Sequence, residues 1–221
     1  MKRRRVTGHG PGPAARLDFA SRAHTLDSVD SRRVTIHRTT RETDISVTLD
    51  PDSAAEPAVS TGVPFFDHML ASMSFHGGFA LSVNGTGDLE VDPHHLVEDV
   101  GLVLGQALAG VLEKGPVARF GHAVVPMDEA LSEVTIDVCG RPTLVLNAAF
   151  PQPRAGTFDL SLLREFFGGL SSAARISLHV DVRRGENAHH MAECAFKALG
   201  RALKGAYAPD RREMSTKGRI G

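Results

Sequence analysis

The chain has 221 residues, a formal net charge of −1 and 42% hydrophobic residues, an ordinary composition for one large domain or two small ones sharing a core. Charge balance this close to neutral gives no footprint for a nucleic-acid partner. No uninterrupted apolar run reaches the roughly 18 residues needed to cross a membrane, and the basic residues 1–5 have no apolar stretch behind them, so they do not read as a secretory signal.

Residues 1–32 read as a tail. GHGPGPAAR is rich in Gly and Pro, no periodicity follows it, and Lys and Arg outnumber Asp, which predicts a solvated, disordered basic arm before a nucleic-acid arm or a transit peptide. VTIHR and DISVTL then alternate as two strands, followed by a loop over 51–60. VPFFDHMLASMSFHGG predicts a helix opened by Pro64 and stopped by Gly77 and Gly78. FALSVNGTGDLEV predicts a hairpin about Asn84-Gly85. HHLVEDVGLVLGQALAGVLEKG is a long amphipathic helix ending at Gly115. Two strands follow near 122–126 and 131–138, then the strand TLVLN, the helix SLLREFFGGLSSAA, the strand RISLHVDV and the helix AHHMAECAFKALGRALKGAY. The chain ends in the polar EMSTKGRIG.

This order repeats. His94-His95-x-x-Glu98 recurs as His189-His190-x-x-Glu193, and a shorter helix with a Phe pair precedes each, FFDHML and REFF. The expected fold is α+β: two similar halves, each a sheet with two helices, related by a pseudo-twofold, over 33–118 and 119–208, with a C-terminal tail over 209–221.

The 11 histidines are the feature that needs a chemical reason. On a helix, positions i and i+4 share a face, so His94 with Glu98, and His189 with Glu193, can each grip one metal. The residue at i+1 points about 100° away, so His95 and His190 serve a second metal. A reciprocal arrangement gives one site of His68, His95, His189 and Glu193, and another of His94, Glu98, His190 and Glu165. Mixed imidazole and carboxylate donors suit a divalent ion such as Mn, Fe, Co or Zn, and the absence of thiolates argues against a structural zinc knot. The motif is not HExxH, so the general base of a zinc protease is missing. Trp is absent and Tyr occurs once, which leaves no platform for stacking bases or sugars. Cys139 and Cys194 lie in apolar segments and read as reduced core residues of a cytoplasmic protein.

From about Arg33 to Arg219 the chain resembles imidazoleglycerol-phosphate dehydratase, through RETDISV, TGVPFFDHML, HHLVEDVGLVLGQAL, RFG, PMDEAL, DVCGRP, GENAHHMAECAFKALGRAL and STKG together. The resemblance implies a ribosomal-S5-domain-2-like fold and a homo-oligomer, typically a 24-mer built from trimers, with two Mn2+ per active site at subunit contacts. It implies a hydro-lyase of histidine biosynthesis that takes imidazoleglycerol phosphate to imidazoleacetol phosphate. By position, its metal ligands fall on His68, His94, His95, Glu98, His189, His190 and Glu193. Substrate contacts fall on Glu42, His76, Arg119, Arg141, Lys197, Ser215, Thr216 and Lys217, the cations being suited to a phosphate dianion. Asp128 and Glu129 in PMDEAL are either partners behind the metal ligands or helix-capping residues.

Two departures stand out. Glu165 replaces the family's His before the Phe pair, where it either ligates Mn as a carboxylate or turns to solvent with a water in its place. Met214 stands where the family usually has Pro, which implies little beyond a looser tail. The expected chemistry holds the substrate ring as imidazolate between two metals, so that it expels the neighbouring hydroxyl and gives a diazafulvene. Glu42 then takes the adjacent proton. The competing readings are a dinuclear phosphate-ester hydrolase and a non-catalytic relative whose metals only hold an assembly together.

Overall fold

A computed structural model of the chain describes Met1 and residues 32–211. The arm over residues 2–31 and the C-terminal positions Met214, Ser215, Thr216 and Lys217 lie outside the described residues. Arg32, assigned to the tail from the sequence, belongs to the fold. It is buried, holds Asp52 through two bonds of 2.8 and 2.6 Å, and donates to the Tyr207 carbonyl.

The first half contains β1 (Val34–Thr39), β2 (Thr43–Asp50), β3 (Ala58–Ser60), α1 (Pro64–Gly77), β4 (Ala80–Gly87) and α2 (His94–Leu112). The second contains β5 (Phe120–Met127), β6 (Ala130–Asp137), β7 (Thr143–Asn147), α3 (Leu162–Ala174), β10 (Ser177–Arg184) and α4 (Ala188–Ala206), with a short hairpin, β8 (Arg154–Ala155) and β9 (Phe158–Asp159), inserted before α3. The strand orders β1-β2-β4-β3 and β5-β6-β10-β7 correspond term by term, each with one parallel edge pair. The α+β duplication expected from the repeated motif is therefore present in the topology.

The local sequence explains the helix ends. Pro64 occupies the first turn of α1, and Gly78 closes it at φ 62°, a left-handed conformation without steric cost for glycine. Asn187 caps α4 by accepting from the backbone N–H groups of His189 and His190. Each sheet buries every second residue: Ile45, Val47 and Leu49 on β2, Ser132, Val134 and Ile136 on β6.

The helices exchange partners between halves. α2 lies on β1 and β2, and α4 on β5 and β6, yet α1 packs against α4 and α2 against α3. The molecule is thus two sheets on the outside with helices between them, and one apolar cluster runs through both halves. The Phe pairs meet at its centre: the rings of Phe66 and Phe166 are edge-to-face at 5.3 Å, and Phe166 stacks on Phe196 at 5.3 Å. Glycines let the helices approach this closely. A Cβ on Gly200 would collide with the Met73 carbonyl, and one on Gly101 with the Phe166 carbonyl. By length and mean hydropathy α2 could cross a membrane, but most of it is buried inside the protein against α3 and the first sheet.

Two expectations fail. There is no hairpin at Asn84-Gly85, because β4 runs unbroken there and pairs with β2 through Ser46 and Ile45. The glycine serves packing instead: a Cβ at Gly85 would lie 3.3 Å from the Leu96 side chain. The loop over 51–60 ends in β3, which adds to β4 in parallel.

Candidate metal centre

The N-terminal ends of α1 and α4 bring His68, His189 and Glu193 together. Their ligand atoms all lie within 4.8 Å of one another. His68 Nε2 is 3.3 Å and His189 Nε2 3.2 Å from the same oxygen, Glu193 Oε2. Two imidazole nitrogens converging on one carboxylate oxygen form a donor set that fits a divalent cation. The edge of Phe65 packs against the His189 ring at 5.2 Å. Burial opposes ionisation of Glu193, but the bond from Lys197 and the nearness of His68 outweigh it and lower its pKa.

α1 and α4 continue the stripe. Ser72 and His76 follow His68 one and two turns on, and Lys197 follows Glu193. Ser72 Oγ is 3.5 Å from Glu193 Oε1, and Lys197 Nζ is 2.9 Å from that oxygen. Burial first, then the Lys197 cation, hold His76 below the usual histidine range. Lys197, expected on the substrate phosphate, is in this chain the ion-pair partner of Glu193, the carboxylate of the candidate metal group.

The matching pair on α2 is looser. His94 Nε2 is 3.8 Å from Glu98 Oε2, and Glu165 does not join them. Among the described residues, His68, His189 and Glu193 alone form a gathered group of three such ligands, and Glu165 has no hydrogen bond or ion pair. Glu98 sits where α2 presses on α3: its carbonyl would be 2.7 Å from a Cβ at Gly169.

His95 and His190 do not cross to the other helix of their own chain, so neither four-residue site assembles within one chain. The turn of about 100° per residue aims them elsewhere. His95 Nδ1 is 3.0 Å from Asp88, and His190 Nδ1 is 2.9 Å from Glu129. Each contact raises its histidine's pKa. The His190 ring and the N–H groups of Asn187 and Glu186 hold Glu129 down at about 2. Glu129 therefore holds a histidine and the two backbone N–H groups that lead into α4, while the helix cap itself is Asn187. Asp128 shapes the turn, at φ 46°, with its carboxylate 3.7 Å from His190. Glu42 is exposed, with Oε2 3.9 Å from His95 Nδ1.

Arg119, also expected on phosphate, sits at the far end of α4 from the group of His68, His189 and Glu193. The Arg119 N–H bonds the Ala206 carbonyl at 3.0 Å, at the C-terminus of α4; at 1.5 Å per helical residue, Ala206 is about 20 Å from Glu193. Arg119 has φ 76°, and Asp137 takes its Nε at 2.7 Å and its Nη2 at 3.2 Å. Arg141 is exposed beyond β6, beside the start of β10, where its carbonyl accepts from Ser177 Oγ at 3.5 Å.

The family model of imidazoleglycerol-phosphate dehydratase matches residues 61–203. A relative of that name from Halorhodospira halophila is 50% identical over 194 residues, 86% of this chain and 98% of its own. One from Gluconobacter oxydans is 47% identical over the same shares. The chain belongs to the imidazoleglycerol-phosphate dehydratase family. Its fold agrees with two solved members. The crystal structure of IGPD from Pyrococcus furiosus is 40% identical with a TM-score of 0.74, covering 83% of this chain and 99% of that one. The Staphylococcus aureus enzyme is 36% identical with a TM-score of 0.73, covering 80% and 99%. Dehydratases of this family are hydro-lyases, and the enzyme class and fold read from the sequence stand with the match. Ser72, Asp88 and Asp137 escaped the reading, although Ser72, four residues after His68, carried the same helical signal as the His189–Glu193 pair.

Proposed function

We propose that this chain dehydrates imidazoleglycerol phosphate to imidazoleacetol phosphate in histidine biosynthesis, with two manganese ions held where copies of the chain meet. The carrying observation is the convergence of His68 and His189 on Glu193, while His95 and His190 have Nδ1 occupied by a carboxylate and, among the described residues, join no such group of their own chain. A site of His68, His189 and Glu193 is completed by His95 of another copy, and one of His94 and Glu98 by His190 of another copy. When bound, manganese supplies Lewis acidity that stabilises negative charge on an imidazole ring.

The remaining work belongs to side chains. The phosphate dianion suits Arg119 and Arg141, with Lys217, Ser215 and Thr216 of the C-terminal segment. The distance from Glu193 to Arg119 along α4 supports a site drawn from several chains, hence a homo-oligomer, for which the 24-mer is the family's pattern. Glu42 takes the proton from the carbon beside the phosphate arm. Lys197 keeps Glu193 ionised, and His76, held neutral, can accept a hydrogen bond from the substrate. Glu165 we place outside the metal set. The free, buried thiols of Cys139 and Cys194 suit a reducing compartment, so we place the enzyme in the cytoplasm.

The experiment is turnover of imidazoleglycerol phosphate by the Mn-loaded protein, with metal content and released inorganic phosphate measured on the same sample. Dehydration with about two metals per chain is the expected result. Phosphate release would make the protein a hydrolase, and metal without turnover would leave it a structural relative.

A further inference from the structure

His95 and His190 occupy matching places on the duplicated helices, but the acids that hold them come from different parts of the two halves. His190 is held from the β5–β6 turn by Glu129. The corresponding β1–β2 turn carries Glu42, which stops short, with Oε2 3.9 Å from His95 Nδ1. Asp88, just beyond β4, holds His95 instead, with carboxylate oxygens 3.0 and 3.3 Å from Nδ1. The backbone N–H of Asp88 also donates to the Glu42 carbonyl at 3.1 Å, and the Asp88 carbonyl accepts from Val91 N–H at 2.8 Å. One residue thus grips His95 by its side chain and the Glu42 turn by its main chain.

A neutral imidazole that donates Nδ1–H to a carboxylate keeps its lone pair on Nε2, and its ring is held against rotation. Without Asp88, the nearest carboxylate to His95 Nδ1 is that of Glu42, on an exposed turn with room to close the gap. We propose that Asp88 is a positioning residue with two tasks: it presents His95 Nε2 to a metal, and it keeps the Glu42 carboxylate off that ring and available for proton transfer. In the second half Glu129 performs only the first task. Its carboxylate is taken up by His190 and the N–H groups of Glu186 and Asn187. The β5–β6 turn has a second acid as well, Asp128, whose carboxylate stands 3.7 Å from His190 Nδ1 much as that of Glu42 stands from His95. The inference rests on the metal and Glu42 roles proposed above.

Calorimetric Mn2+ titration of the full chain tests the first task. Wild-type uptake is measured first; none would overturn the metal reading itself, independently of Asp88. Asp88→Ala is expected to weaken one Mn2+ per chain by roughly 10–100-fold and leave the other unchanged. Asp88→Asn, whose amide oxygen still accepts from Nδ1–H, recovers most of that affinity. In a His95→Ala background, Asp88→Ala adds no further loss of Mn2+ affinity. For the second task, Asp88→Ala at saturating Mn2+ keeps a lowered kcat at unchanged KM, and Asp88→Asn restores it. Unchanged Mn2+ affinity in Asp88→Ala overturns the proposal, as does an equal loss in the His95→Ala background, which would mark a purely structural role. A kcat fully regained by Asp88→Ala once Mn2+ saturates removes the second task.

Discussion

The Glu42 carboxylate carries the proton in the proposed reaction and stands 3.9 Å from its ion-pair neighbour His95 Nδ1, so its removal separates chemistry from binding. Glu42→Gln is expected to lower kcat by roughly 10²–10⁴-fold while Mn2+ and substrate binding persist in calorimetry; normal turnover would reassign the role. Glu129 gives a pH signature. Its folded-state pKa of about 2 lies below the ordinary 4.5, so its contribution to stability is present above pH 4.5 and fades as pH falls toward 2. In urea melts of metal-free protein, Glu129→Gln should be less stable than wild type at pH 6, and the gap should close on acidification. A gap independent of pH would contradict the assignment. The pairing of His189 with Glu193 was readable because i and i+4 fall together on any helix, whatever lies around it. Asp88 and Asp137 were not, because each reaches its partner through the path of a strand exit or a left-handed turn. Lys197 lay within reach of the same helical rule, four residues after Glu193, but its charge drew the reading toward phosphate.

At the level of elements, the metal group depends on how closely α1 and α4 lie. Gly200 presses on the Met73 carbonyl, and a Cβ at Gly77 would lie 2.7 Å from the Gly200 carbonyl. Gly200→Ala must push the helices apart, at about 1–3 kcal/mol for an overpacked contact, and shift His68 away from Glu193. A lowered Tm together with weakened Mn2+ uptake is expected; lowered Tm with intact uptake would show that the helix ends are held independently. Boundaries set by local chemistry, such as Pro64 and Gly78, were legible in the sequence. The turn expected at Asn84-Gly85 was not realised, because continuous pairing with β2 outweighs a two-residue preference and the glycine is needed beneath Leu96. β3 has only three residues, too few for a period to show.

For the whole molecule, incomplete sites make a prediction about mixtures. Subunits carrying His95→Ala and subunits carrying Glu193→Ala should each be inactive. Co-assembled after denaturation and refolding, they should regain part of the turnover, since each supplies what the other lacks; no recovery in demonstrably mixed assemblies would confine the site to one chain. The duplication itself was legible from the repeated histidine motif. The exchange of helices between halves was not, because an amphipathic stripe states that a face must be covered without naming what covers it. That exchange has a consequence for a chain of half the length. Since α1 is covered by α4 and α2 by α3, a half-length chain of this design would leave one face of each helix open to water, a face that a second copy of itself could cover. A homodimer of such half-length chains would meet the same need, and the matching positions of His68 and Glu165 would then be identical.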